Sequence, residues 1–150
     1  MKIIFYFILF FTNFLHAQIM ADVEDDSSDG RTLTQVEFKR AIILYDKYVA
    51  SEDFIEMKNK IEKLSSIANE NNKLREFVFY EENINNQKIE NWVNKNIPKE
   101  NNGEATKLLS RIVVLNNKIN IDNAEIINIL KYKASFNQCQ EIMNPELRDR

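Results

Sequence analysis

Asp25, Ser27 and Asp29 stand at alternate positions in one short stretch, with Gly30 directly after them. That is the opening spacing of a calcium loop, in which hard oxygen ligands surround the ion and a glycine permits the sharp turn. A complete loop also needs a bidentate acid at its twelfth position. That position is Val36, and Glu37 comes one residue too late. The segment therefore reads as a solvated linker, and no metal ligands are assigned. Paired carboxylates at Glu52-Asp53 and Glu81-Glu82 have the residue type for acid–base work, but neighbouring acids on a helix face read more simply as solvated charge. The only glycines are Gly30 and Gly103, so no glycine-rich phosphate loop exists. No catalytic, cofactor-binding or metal residue is assigned, and the chain reads as a non-enzyme.

The N-terminus removes further chemistry. Lys2 gives a positive start, residues 3–11 are an unbroken apolar run, and His16-Ala17-Gln18 is a small-residue cleavage context. The run is well short of the roughly 20 residues that span a bilayer, so it reads as a secretory signal peptide over 1–18 and not as a membrane anchor. Cleavage after Ala17 or Gln18 takes away His16, the only histidine. A Ser-His-Asp or Cys-His site and a histidine zinc site are then excluded. Cys139 is the only cysteine, so no internal disulfide forms. A disulfide-linked dimer through Cys139 is open in an oxidising compartment, but a buried, inert thiol is the favoured reading. The expected location is secreted or periplasmic, with export into a host cell as one variant.

Residues 19–33 contain five acids and little apolar surface before Gly30, and read as a disordered acidic leader. Acids and bases are nearly balanced in the remaining body. It has no basic stripe, so nucleic acid is not an expected partner.

The elements that must position any site are helical. A hydrophobic content of 44% is enough for a core, while two Gly and two Pro are too few for the turns of an all-β chain. Thr34 and Glu37 form a capping box, with Leu33 and Phe38 at the staple positions, and open a helix to about Ala50. Ser51 caps a second helix whose Phe54, Met57, Ile61, Leu64 and Ala68 follow a 3-4-3-4 seam. A third begins near Lys73 with Leu74, Phe77, Val78 and Ile84 on its apolar side. Ile89, Trp92, Val93 and Ile97 give a fourth, stopped by Pro98. Residues 98–103 read as the best internal loop, separating these helices from a C-terminal hairpin. Asp122 and Glu125 read as a second capping box, with Ile121 and Ile126 as its staple. The expectation is an all-α fold, an antiparallel bundle of five or six helices in a single domain over 34–147.

Two short stretches stand out. Arg31-Thr32-Leu33-Thr34-Gln35 resembles the R-x-L-x-[E/D/Q] export element of malaria parasites. The resemblance implies cutting after Leu33, with Arg31, Leu33 and Gln35 as processing determinants. Leu33 and Thr34 already have structural roles as staple and cap, and that reading takes precedence. Residues 89–93 and 109–112 are faintly similar to secreted nematode helical proteins, and the Ala-Gln end of the signal is similar to Bacteroidetes periplasmic proteins. Three lineages fit equally, so no family is assigned. The second stretch, Phe77-Val78-Phe79-Tyr80, is apolar all round a helix. Because a helix turns about 100° per residue, Phe79 and Tyr80 point away from part of the face that holds Phe77 and Val78. They are the candidate interaction surface.

The functional expectation is a small secreted helical protein acting by protein–protein interaction, an effector on a host or neighbouring organism being one form of it. The expected partner is another protein, no cofactor is expected, and the mature chain carries no membrane anchor. The alternatives are a carrier whose Phe77, Phe79, Tyr80 and Trp92 enclose an apolar ligand, or a periplasmic or envelope structural factor. Protein recovered from a secreting host should begin at Gln18 or Ile19, whereas the export element implies a start at Thr34. N-terminal sequencing separates the two, and retention of Met1 would overturn the secretion reading.

Overall fold

The computed structural model describes residues 32–68 and 71–148. The signal peptide, the calcium-like spacing, most of the leader and Arg31 lie outside the described residues. Among the described residues the regular structure is all helical: seven α-helices and two 3-10 turns, with no strand. The all-α expectation holds, with seven helices in place of the five or six expected. The extra helix arises because the last apolar stretch breaks at 133–135. Ser135 there starts a new helix with its own capping box to Gln138.

The chain forms two compact units, residues 32–50 with 123–148, and residues 51–122. Unit one holds α1 (Gln35–Val49), α6 (Ala124–Tyr132), α7 (Phe136–Met143) and a 3-10 turn over Pro145–Leu147. Helix α1 starts where the sequence places it. Thr34 is extended, its hydroxyl accepts from the Glu37 amide, and the Glu37 carboxylate accepts from the Thr34 amide at 2.9 Å. The Thr34 hydroxyl, which donates to Glu37 Oε2 at 2.7 Å, and then the Thr34 amide hold the Glu37 carboxyl below its ordinary range. Leu33, the last residue of the expected leader, is only 5% exposed. Its amide donates to Gln138 Oε1 at 2.8 Å, and its carbonyl accepts from Gln138 Nε2 at 3.0 Å. The same Oε1 also accepts from the Ser135 amide at 3.3 Å. One side-chain amide thus caps α7 and seats the segment that leads into α1.

Ala41, Tyr45 and Tyr48 turn the buried face of α1 toward the unit's interior. The two tyrosine rings meet edge to face at 6.0 Å between centroids. Burial pushes the Tyr45 phenol up to about 12, and that of Tyr48 upward as well. Arg148 closes the other end. It grips Asp46 with two bonds of 2.9 and 2.8 Å and donates to the carbonyls of Glu141 and Ile142 in the last turn of α7. A guanidinium at a helix C-terminus satisfies carbonyls that the helix itself leaves open.

Unit two is built on α5 (Asn102–Asp122), which packs against α2 (Glu52–Ile67), α4 (Asn86–Asn96) and α3 (Asn71–Tyr80). The α2 seam of Phe54, Met57, Ile61 and Leu64 is buried, as are Ala105, Leu108, Leu109, Ile112, Leu115 and Ile119 of α5. Ion pairs along one edge show the direction of packing. Asp53 pairs with Lys118, Glu56 with Arg111 (2.7 and 2.9 Å) and Lys63 with Glu104 (2.5 Å), so α2 and α5 run antiparallel. Arg111 beside Glu56 holds that carboxyl down at about 2. Exposed pairs of this kind add little stability, and their effect is on register.

Three local expectations need correcting. The third helix ends at Tyr80 and does not reach Ile84, because Asn83 adopts a left-handed conformation with φ 51°, which ends the helical run. Residues 98–103 do not separate an N-terminal half from a C-terminal one. A 3-10 turn over Lys99–Asn101 leads straight into α5, whose apolar stripe belongs with α2 to α4. The second capping box is absent. Asp122 is still helical and faces Lys118 at 3.9 Å, Asn123 is the cap residue with no side-chain cap bond, and Ile121 is 76% exposed. A residue can cap only from an extended conformation outside the helix, and the buried Ile119 keeps this last turn of α5 in place.

Gln138→Ala should destabilise the protein by about 2 kcal/mol, through loss of the α7 cap and of both bonds to Leu33. Gln138→Glu keeps the accepting oxygen but loses the Nε2 donor, so its loss should be smaller in urea denaturation. Equal losses from the two would show that the bonds accepted by Oε1 from the Leu33 and Ser135 amides add nothing beyond the one donated to the Leu33 carbonyl.

Candidate functional site

Within unit two, α3 and α4 are joined by residues 81–85 and enclose a cleft of about 550 Å³, open to solvent. The turn is fixed at several points. Asn83 supplies the left-handed residue, and the Asn85 side chain caps α4 by accepting from the Lys88 amide at 2.9 Å. Lys88 Nζ reaches back across the turn to the Glu81 carboxylate at 2.5 Å and the Glu82 carbonyl at 2.7 Å. This clasp closes one end of the cleft.

The helices approach closely at the other end. Trp92 Nε1 donates to the Lys73 carbonyl at 3.2 Å, which places the start of α3 beside the middle of α4. The Phe77 and Trp92 rings lie 5.8 Å apart with planes tilted by 40°. They are 9% and 8% exposed and form the floor. One turn beyond Trp92, the buried Asn96 donates from Nδ2 back to the Trp92 carbonyl at 2.8 Å. That bond removes one donor of a buried amide whose burial is otherwise costly.

Each wall comes from one helix face. Lys73, Glu76, Phe77 and Tyr80 line it from α3 with Glu81 just past its end, and Lys88, Asn91, Trp92, Lys95 and Asn96 from α4. Both sets follow the same intervals of three, one, three and one residues, a single stripe of an α-helix. Lys88 and Glu81 are paired. Glu76 and Lys95 are both exposed and make no ion pair among the described residues. The cleft thus offers an aromatic floor, one exposed ring at its rim and two uncommitted charges of opposite sign. It can hold a ligand by apolar contact and steer it by charge. No group of side chains fit to hold a metal ion occurs among the described residues.

The candidate interaction residues separate. Tyr80, 51% exposed, is on the rim of the cleft. Phe79 is half-buried and does not line it. Of the four aromatics considered for an apolar ligand, Phe77, Tyr80 and Trp92 converge, and the cleft they share is open. Leu33 and Gln35 belong to unit one, Leu33 buried under Gln138 and Gln35 exposed in the first turn of α1. Cys139, also in unit one, is fully buried and its Sγ donates to the Leu130 carbonyl at 3.3 Å. Burial pushes the thiol up to about 11. Sequence reasoning missed the polar wall of the cleft. Its signal is the set of charged and amide residues flanking Phe77 and Trp92 at helical spacing, which by residue type alone read as solvated faces.

Phe77→Ala should destabilise the fold by about 3 kcal/mol, since it opens a hole beneath Trp92. Tyr80→Ala should stay within about 0.5 kcal/mol of the parent. Chemical denaturation followed by the fluorescence of Trp92, the only tryptophan, measures both. A large loss for Tyr80→Ala would make that ring structural and leave the rim without a free contact residue.

Comparison with known proteins leaves the geometry as the sole guide: no family model, no curated protein and no solved structure matches the chain.

Proposed function

We propose that the chain is a small secreted, non-enzymatic helical protein that acts by protein–protein interaction, and that its partner docks at the cleft between α3 and α4. The observation that carries this reading is the open cleft itself, with the Phe77 and Trp92 rings as its floor and Tyr80 half exposed at its rim. Aromatic residues in a partly desolvated, concave surface are the usual anchors of binding energy between proteins. The apolar N-terminal stretch supports export, and an effector on a host or neighbouring organism fits a protein that leaves its cell. An antiparallel bundle behind a cleaved signal peptide and acidic leader belongs to the same reading.

The carrier of an apolar ligand is the second reading, favoured by the convergence of three aromatics on one cleft. Openness weighs against it, because small-ligand sites enclose most of the ligand's surface.

The two readings give different products in one experiment. A photoreactive benzoylphenylalanine in place of Tyr80, expressed in the full chain in its native setting, should yield discrete protein adducts on illumination. The same group at the exposed Asn59 of α2 should not. Adducts at both positions alike, or a lipid recovered with the purified protein in place of any adduct, would overturn the interaction reading.

A further inference from the structure

Helix α1 turns Ala41, Tyr45 and Tyr48 inward, and its opposite side carries an apolar, basic ridge. Val36 and Ile43 stand out there at 79% and 69% exposure. Lys39, Ile43 and Lys47 follow one another at four-residue intervals, so two exposed lysines flank Ile43 along one ridge. The other charges of α1 are committed. Arg40 pairs with Glu125 at 2.6 Å and Asp46 with Arg148 at 2.8 Å. Glu37 holds the cap about a third of a turn round the helix from Ile43, where Lys133 offsets its charge. Lys39 and Lys47 make no ion pair among the described residues. The ridge therefore carries two positive charges without a counter-charge.

We infer that this ridge is covered by the chain's own acidic segment, residues 25–29, lying along α1 in extended form. The Asp29 carboxylate pairs with Lys39, the Asp25 carboxylate pairs with Lys47, and Ser27 lies over Ile43. Those five residues lie outside the described ones, and charge, spacing and reach select them. Residues 22–29 hold five acids and no base. In an extended chain alternate side chains share one side, so Asp25, Ser27 and Asp29 face the helix together. Four extended residues, Asp25 to Asp29, span about 13 Å. Eight helical residues, Lys39 to Lys47, span about 12 Å. The chain enters α1 at Thr34, so Asp29 meets the near lysine and Asp25 the far one. Residues 30–32 make the reversal, and Gly30 accepts the left-handed backbone that such a turn calls on. So short a tether gives a high effective concentration, and ion pairs of ordinary surface strength then suffice. The alternate oxygens that resemble an incomplete calcium loop thereby have a use that needs no metal.

The test places a nitroxide on Glu24→Cys in the full chain and reads the broadening of α1 amide signals by nuclear magnetic resonance. Cys139 is fully buried and stays unlabelled, which the parent chain under the same reaction checks. Docking should broaden Lys47 and Ile43 more than Val36, because Glu24 adjoins Asp25 at the far end of the ridge. A segment that is merely tethered gives the reverse order, with Val36 broadened most. High salt should weaken the broadening at Lys47. Lys39→Glu with Lys47→Glu should reduce it at least about threefold, the scale of two exposed ion pairs. Adding Asp25→Lys and Asp29→Lys to that chain should restore it. Both lysines are exposed and unpaired, so their replacement leaves the fold intact. The reverse order, or broadening indifferent to the lysine substitutions, would overturn the inference. Failure of the exchanged chain to recover would overturn the direct pairing. Broadening of the ridge signals by phosphatidylserine vesicles, with no contact from the nitroxide, would give the ridge to a lipid surface instead.

Discussion

Helices of ten or eleven residues do not persist alone in water, and α3 and α4 exist because α5 gives their apolar sides somewhere to be buried. Helix α5 buries residues on two neighbouring stripes. The first receives the seam of α2, and the remainder of its surface receives α4 and the end of α3, where Asn116 Nδ2 donates to the Val78 carbonyl at 3.4 Å. With one side of each short helix committed to α5, the opposite sides of α3 and α4 are left to face each other and solvent. The cleft is what remains between them, and its open character follows from having no further helix in unit two to cover it.

Unit one solves a similar problem with polar chemistry. Its helices are of fifteen, nine and eight residues, and the shortest depends on its ends. Gln138 supplies the first end of α7 and Arg148 the last, each by satisfying backbone groups that a helix terminus leaves open. Because Gln138 also pairs with both backbone groups of Leu33, the start of α1 and the start of α7 are fixed together. Residues that resemble an export element are in this way absorbed into packing and capping.

The helical elements are mostly legible in the sequence, because amphipathic spacing and caps are local. Thr34 with Glu37, Ser51, the α2 seam and the stop at Pro98 all stand where residue type and interval put them. The departures are also local in cause. Asp122 and Glu125 have the letters of a capping box but lie where α5 continues, and nothing in four residues shows that a helix is already running. Ser135 and Gln138 have the same letters and do form a box. Phe136 obscures it, because it sits in phase with the preceding helix, yet it is 37% exposed. Asn83 has the residue type of a turn, but its positive φ depends on the return path of the chain. The cleft is half legible. Phe77, Tyr80 and Trp92 stand out as aromatics able to gather, whereas Lys95 and Glu76 look like solvent-facing charge until α3 and α4 are set side by side.

The bond pattern at Leu33 joins residues 105 positions apart. Unit one is assembled from the two ends of the described chain, whereas unit two is one continuous stretch. During synthesis α1 emerges first, yet its buried face has no cover until residues 123–148 have followed. Unit two has every residue it needs once Asp122 is out, so it can close first, and unit one is completed only after residues 123–148 have followed.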